Sequence, residues 1–152
     1  MRKKCKRKVW ALVNPVSFAL SGAAMIPDAD LVGLRTRELA AIEAFRTGEA
    51  GLQEWADINS MLTMCEVMAR SGVGSEALPT CEAAQEALKA AAIRFEQTKR
   101  MGTNGPGLQA FRDLYEYHDL QRTSVHRSEY EKFLRLGTNH LKSKSRHVEE
   151  IV

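Results

Sequence analysis

The most regular stretch of the chain is 51–74, GLQEWADINSMLTMCEVMARSGVG, where Leu52, Trp55, Ile58, Leu62, Cys65 and Ala69 recur at three- and four-residue steps. Met61, Met64 and Met68 widen that stripe to about half the circumference of one helix, the pattern of a central helix with neighbours on several sides. Gly72 and Gly74 supply its stop, because glycine tolerates the left-handed conformation that closes a helix. A Trp- and Met-rich stripe can also line an adaptable groove; burial in a core is the expectation.

The same period organises the flanks. Leu31, Leu34, Ala41, Ile42 and Phe45 predict a helix over 31–46, capped by Asp28 or Asp30 and ended by Gly48. The short hinge GEAG makes it an antiparallel partner of the central helix. A third helix begins at Ser75–Glu76, tolerates Pro79 in its first turn, and carries Ala83, Ala84, Ala87, Leu88, Ala91 and Phe95 on one side up to Met101-Gly102. GTNGPG is a loop by its glycines and proline. From Gly107 to about Leu136 the pattern is again helical, stopped by Gly137. Unbroken, thirty residues would reach about 45 Å. The stripe is firm at Leu108, Phe111, Leu114 and Tyr115, weakens through His118, Gln121 and Arg122, and returns at Val125, Tyr130, Phe133 and Leu134. Thr123-Ser124 is the place for a bend, and Ser128 with Glu131 spells a capping box.

Upstream, Asn14 caps a short helix with Pro15 at its first position. Trp10, Leu12, Val16, Phe18 and Leu20 would then strap the bundle, or else offer a partner an apolar handle. The basic run followed by VWALVNPVSFALSGAA imitates a secretory leader, but Asn14-Pro15 splits its apolar run. A cytoplasmic location and no membrane span are the expectation. The fold expected is all-α: four to five helices, a long last helix, continuous or bent, and an N-terminal strap. Residues 1–8 would form a basic arm, 9–137 one helical domain and 138–152 a polar tail.

Composition agrees: the chain is rich in Ala, Leu, Glu, Arg and Met, with 7% aromatics among 152 residues. Charge changes the picture more. Arg2, Lys3, Lys4, Lys6, Arg7 and Lys8 hold six of the 22 basic residues, and the other 16 face 19 acidic ones, a net of −3. The body is mildly acidic, and a bare basic arm attracts polyanions, nucleic acid included, or simply solubilises. Three cysteines without metal-ligand spacing imply no disulfide framework.

No catalytic set emerges. His118 and Asp119 are neighbours, and adjacent helical residues do not face one another. His118 and His126 lack a carboxylate at helical spacing to complete a metal site. There is no nucleophile elbow, phosphate loop or HExxH. The expectation is a protein that is not an enzyme and needs neither metal nor cofactor. The polar midsection of the last helix is the best candidate partner surface: Tyr115, Tyr117, His118, Arg122 and Arg127 are types enriched at binding hot spots. A half-polar last helix could also pair with its twin, though its heptad is broken.

Asn14-Pro15-Val16, Asp57-Ile58-Asn59 and His118-Asp119-Leu120-Gln121 are the most specific pieces of a resemblance spanning most of 13–134. The chain resembles a group of small proteins from phages, prophages and mobile regions of proteobacteria. The resemblance implies an accessory protein of a mobile element in a bacterial cytoplasm. With no catalytic set, a basic arm and an acidic body, the expectation is a binder of a host or phage protein or nucleoprotein complex, with host-defence nucleases the target class that the resemblance suggests. It transfers no functional residue. The alternative is a nucleic-acid-binding accessory acting through residues 2–8.

Overall fold

The computed structural model describes residues 15–149, an all-α bundle. Its helices are α1 (Pro15–Ala23), α2 (Asp28–Thr47), α3 (Leu52–Arg70), α4 (Leu78–Thr98), α5 (Gly105–Ser124) and α6 (Arg127–Glu149), with a 3-10 turn at Ser75–Ala77 before α4. No helix among the described residues is long and apolar enough to cross a membrane.

The central helix is α3, which touches α2, α4, α5 and α6. Ile58, Met61, Leu62, Met64, Cys65, Met68 and Ala69 are buried along it, as the stripe predicts. Leu52 departs from the prediction: at the first position of α3 it is 71% exposed, because the stripe reaches its neighbours only after one turn. Trp55 is half-buried and donates its indole N–H to the Leu88 carbonyl at 3.2 Å, tying α3 to α4. Phe45 and Phe111, both fully buried, meet edge to face at 5.1 Å and join α2 to α5.

Several ends differ from the sequence reading. Asp28 and Asp30 lie inside the first turn of α2, after Pro27, with no side-chain cap; there they complement the positive end of the helix dipole and pair with Arg35 and Arg127. α4 stops at Thr98, where Lys99 takes a left-handed φ of 59°, earlier than Met101-Gly102. Met101 is then buried and bridges to Glu49 and Ala50 in the α2–α3 hinge. A Cβ on Gly102 would meet the Gly48 Cα at 3.0 Å, so glycine there lets the two loops cross. Asn104 accepts a hydrogen bond from the Gly107 N–H and caps α5.

The long last helix is two helices. Val125 is extended (φ −116°, ψ 157°), one residue beyond the expected bend. The break pairs with the α1–α2 turn: His126 bridges to Met25, and the Arg127 N–H donates to the Ala24 carbonyl. The cap is formed by Glu129 accepting from the His126 N–H at 3.3 Å, two residues ahead of the Ser128/Glu131 box. Gly137 does not stop α6. It is buried, and a Cβ there would meet the Met64 Sδ at 2.8 Å, so it permits close approach to α3.

The strap is also corrected. Within the described residues α1 packs on α6, and Val16 and Leu20 are 65% and 68% exposed. Trp10, Leu12, Asn14 and the side chain of Phe18 lie outside the described residues, as do residues 2–8.

Phe45→Ala should lower unfolding free energy by about 3–5 kcal/mol in urea titrations, whereas Leu52→Ala should stay within about 0.5 kcal/mol. Equal costs at the two positions would contradict this core.

Candidate functional site

The weakened stripe of α5 turns inward. Arg122 is completely buried and places both terminal nitrogens on the Glu38 carboxylate of α2, at 2.9 and 2.7 Å. Its Nε donates to Asp119 at 2.9 Å; the same oxygen accepts from the Arg35 Nε at 2.8 Å, and Arg35 reaches exposed Asp28. Charge therefore alternates along a chain from the interior to the surface. The Tyr115 ring lies 5.9 Å from the guanidinium. Burial works against the Arg122 charge, yet the Glu38 hydrogen bonds and field outweigh it and raise the pKa. Burial likewise opposes the Asp119 charge, and the two arginines still hold its carboxyl below the usual range.

Beside this pair, Gln121 donates its amide to the carbonyls of Cys65 (3.1 Å) and Val73 (2.8 Å). Its oxygen is left to accept, so His118, 3.1 Å away, donates from Nδ1. Gly74, at φ +69°, brings its loop so close that a Cβ would meet the Gln121 Cγ at 3.2 Å. His118 is fully buried, and desolvation, aided by the Arg122 charge, pushes its pKa down to about 4. A base that weak accepts few protons near neutrality. Among the described residues no buried side-chain nitrogen or oxygen lacks a partner. The hub spends its polar groups on joining α2, α3 and α5. A recess of about 190 Å³ borders it, flanked by Glu38, Asp57, His118 and Tyr130.

The predicted partner surface is therefore divided. His118 and Arg122 are withdrawn into the core, because each finds polar partners there. Tyr115 is half-buried and faces the hub. Tyr117 is half-buried on the opposite side, at a shallow acidic depression with Asp113, Glu116 and exposed Leu120. Arg127 lies at the start of α6 and is held by Asp30. His126 is exposed, apart from buried His118. Among the described residues no three His, Cys, Asp or Glu side chains converge as a metal site requires. Cys65 and Cys81 are free, buried and adjacent; their mutual hydrogen bond, together with burial, pushes the Cys65 thiol pKa up.

A site the sequence did not suggest lies where α2 and α4 end. The loop crossing at Gly48 and Gly102 gathers Arg46, Arg94 and Arg100, with the hydroxyls of Thr47, Thr98 and Thr103, around a cleft of about 410 Å³. Arg46 donates three hydrogen bonds to Glu43. Arg94 and Arg100 enter no ion pair among the described residues. Sharing Arg94, Gly102 and Thr103 with this cleft, a groove of about 370 Å³ runs between α4 and α5 over Ala87, Ala90, Ala91, Pro106 and Ala110. In sequence the three arginines are scattered through a net-acidic body; only the clustering of Arg94, Lys99 and Arg100 hinted at them.

Set against protein-family models, curated proteins and solved structures, the chain matches none.

Arg122→Met should cost about 3–5 kcal/mol by stranding Glu38, and Arg122→Met with Glu38→Leu should recover most of it; thermodynamic cycles from urea melts would show no recovery if the two did not interact. His118, at about 4 in the fold against an ordinary 6.5, stays neutral where the unfolded chain takes up a proton. Its contribution is present above about pH 6.5 and is lost as pH falls toward 4, about 3 kcal/mol in all. His118→Gln should flatten the stability–pH slope in that window.

Proposed function

We propose that the protein is a non-enzymatic, phage- or prophage-type accessory protein that acts by binding a host or phage protein or nucleoprotein complex, inhibition of a host defence system being one form this could take. The observation that carries the binding reading is the arginine cleft. Two guanidinium groups that enter no ion pair among the described residues stand where α2 and α4 end, in a body whose sequence apart from residues 2–8 is net acidic. Unpaired, clustered arginines supply forked donors for an anionic face, and Arg is enriched where binding energy concentrates. Three of the four residues in His118-Asp119-Leu120-Gln121 belong to the buried polar hub, so this piece of the phage-type resemblance marks structural residues.

The runner-up is nucleic-acid binding through the six basic residues at 2–8, favoured by their density alone.

Affinity capture from host lysate separates the two. Arg94→Glu with Arg100→Glu should lose the captured partner while retaining the melting temperature, and deletion of residues 2–8 should keep it. Loss with the deletion alone, together with loss of salt-sensitive DNA or RNA binding, would favour the arm instead.

A further inference from the structure

We propose that the arginine cleft and the alanine-floored groove beside it together hold one nucleoside phosphate unit, phosphoryl group among the arginines and nucleoside along α4 and α5. The proposal rests on the binding reading above and names the ligand chemistry of that same site.

The two depressions are one surface. Arg94, Gly102 and Thr103 line both, so a ligand lying across them meets guanidinium groups at one end and methyl groups at the other. At the cationic end the donors are the Arg94 guanidinium from α4 and the Arg100 guanidinium from the loop beyond it, with Thr103 beside them. Arg46 is held by Glu43, and the Thr47 and Thr98 hydroxyls donate to the Ala44 and Arg94 carbonyls. A carboxylate presents two oxygens in one plane. A phosphoryl group presents three or more at tetrahedral angles, which lets two guanidinium forks from different elements engage it at once.

Two helices end here, and bare carbonyls would repel an anion. They are covered. The Phe45 carbonyl accepts from the Gly48 and Thr103 N–H groups at 3.4 and 3.3 Å, and the Phe95 carbonyl accepts from Lys99 at 2.8 Å. The left-handed turn at Lys99 ends α4 and carries the chain round so that Arg100 faces the cleft. Two nearby acids are paired, Glu43 with Arg46 and Glu86, on the groove wall, with Lys89 at 3.3 Å.

The groove supplies the second half. Ala87, Ala90, Ala91 and Ala110 present only methyl groups, and Pro106 closes one side. Gly107 keeps α5 close to α4, since a Cβ on it would meet the Ala87 Cβ at 3.2 Å. Such a shallow apolar floor suits a flat heterocycle and excludes water beneath it.

Titration calorimetry on the full chain tests this with ADP, inorganic pyrophosphate, adenosine and a short oligoadenylate. ADP should bind about tenfold or more tightly than pyrophosphate, and adenosine alone should bind weakest. Arg94→Ala with Arg100→Ala should weaken ADP about tenfold or more. Ala90→Gln, at an exposed position of the floor, should bring ADP down to the level of pyrophosphate. Arg94→Lys with Arg100→Lys should fall between, retaining charge without the fork. If oligoadenylate exceeds ADP and loses that excess in the arginine variant, the unit belongs to nucleic acid; if ADP exceeds it, the ligand is a free nucleotide. Absence of saturable ADP and oligoadenylate binding, or equal binding of ADP and pyrophosphate untouched by Ala90→Gln, overturns the proposal. Should partner capture still depend on Arg94 and Arg100 in that case, the binding reading survives without it.

Discussion

The bundle depends on a charge taken out of water. Arg122 has no exposed surface, and its buried counter-ion is Glu38, itself almost wholly buried, on a different helix, with part-exposed Asp119 on its own helix. Desolvating either alone costs several kcal/mol, so neither position is tolerable without the other. Geometry settles the balance: two parallel N–H···O contacts to Glu38 and one to Asp119 satisfy the guanidinium, and Arg35 completes the Asp119 side. The neighbouring Gln121–His118 pair then fixes the loop after α3 against α5. An apolar core of Ala, Met, Leu and Phe supplies bulk attraction, but it is indifferent to small rotations of α5. The ion pair and the amide contacts select one rotation.

How much of this the sequence discloses follows from what each signal measures. Apolar periodicity locates α2, α3 and α4 because their buried faces are made of hydrocarbon. It fails on α5, where His118, Gln121 and Arg122 continue the phase of Phe111 and Leu114 with polar groups; polarity at those steps ordinarily means water. The complementary signal lies on α2. Glu38 falls in phase between Leu31 and Phe45, an acid on an apolar stripe, and Arg122 does the same on α5 with opposite sign. Reading the two stripes together, instead of each alone, would have paired them. Glycine misled differently. Gly137 is read as a stop, yet its lack of a side chain serves contact with Met64, a distinction only a neighbouring helix can make.

The cleft was illegible for another reason. Arg46, Arg94 and Arg100 contribute to a local field that net charge averages away. Their convergence depends on two loops crossing at glycines, Gly48 and Gly102, separated by a helical hairpin and the loop after it. No local pattern encodes that crossing. The candidate surface inferred from residue types, centred on His118 and Arg122, fails because guanidinium and imidazole groups serve cores as well as surfaces when partners are provided.

Most contacts in the bundle join helices that follow one another along the chain, but Glu38 and Arg122 are 84 residues apart. While α5 is undocked, both ions can remain hydrated at little cost. Only complete closure makes them dry and forces them together. A partly assembled chain thus forgoes the pair altogether, which penalises half-built states relative to both extremes. Cooperativity then rests on contacts between helices distant along the chain, this pair together with Arg35–Asp119, Phe45–Phe111 and Arg127–Asp30, and the worth of the buried pair appears all at once.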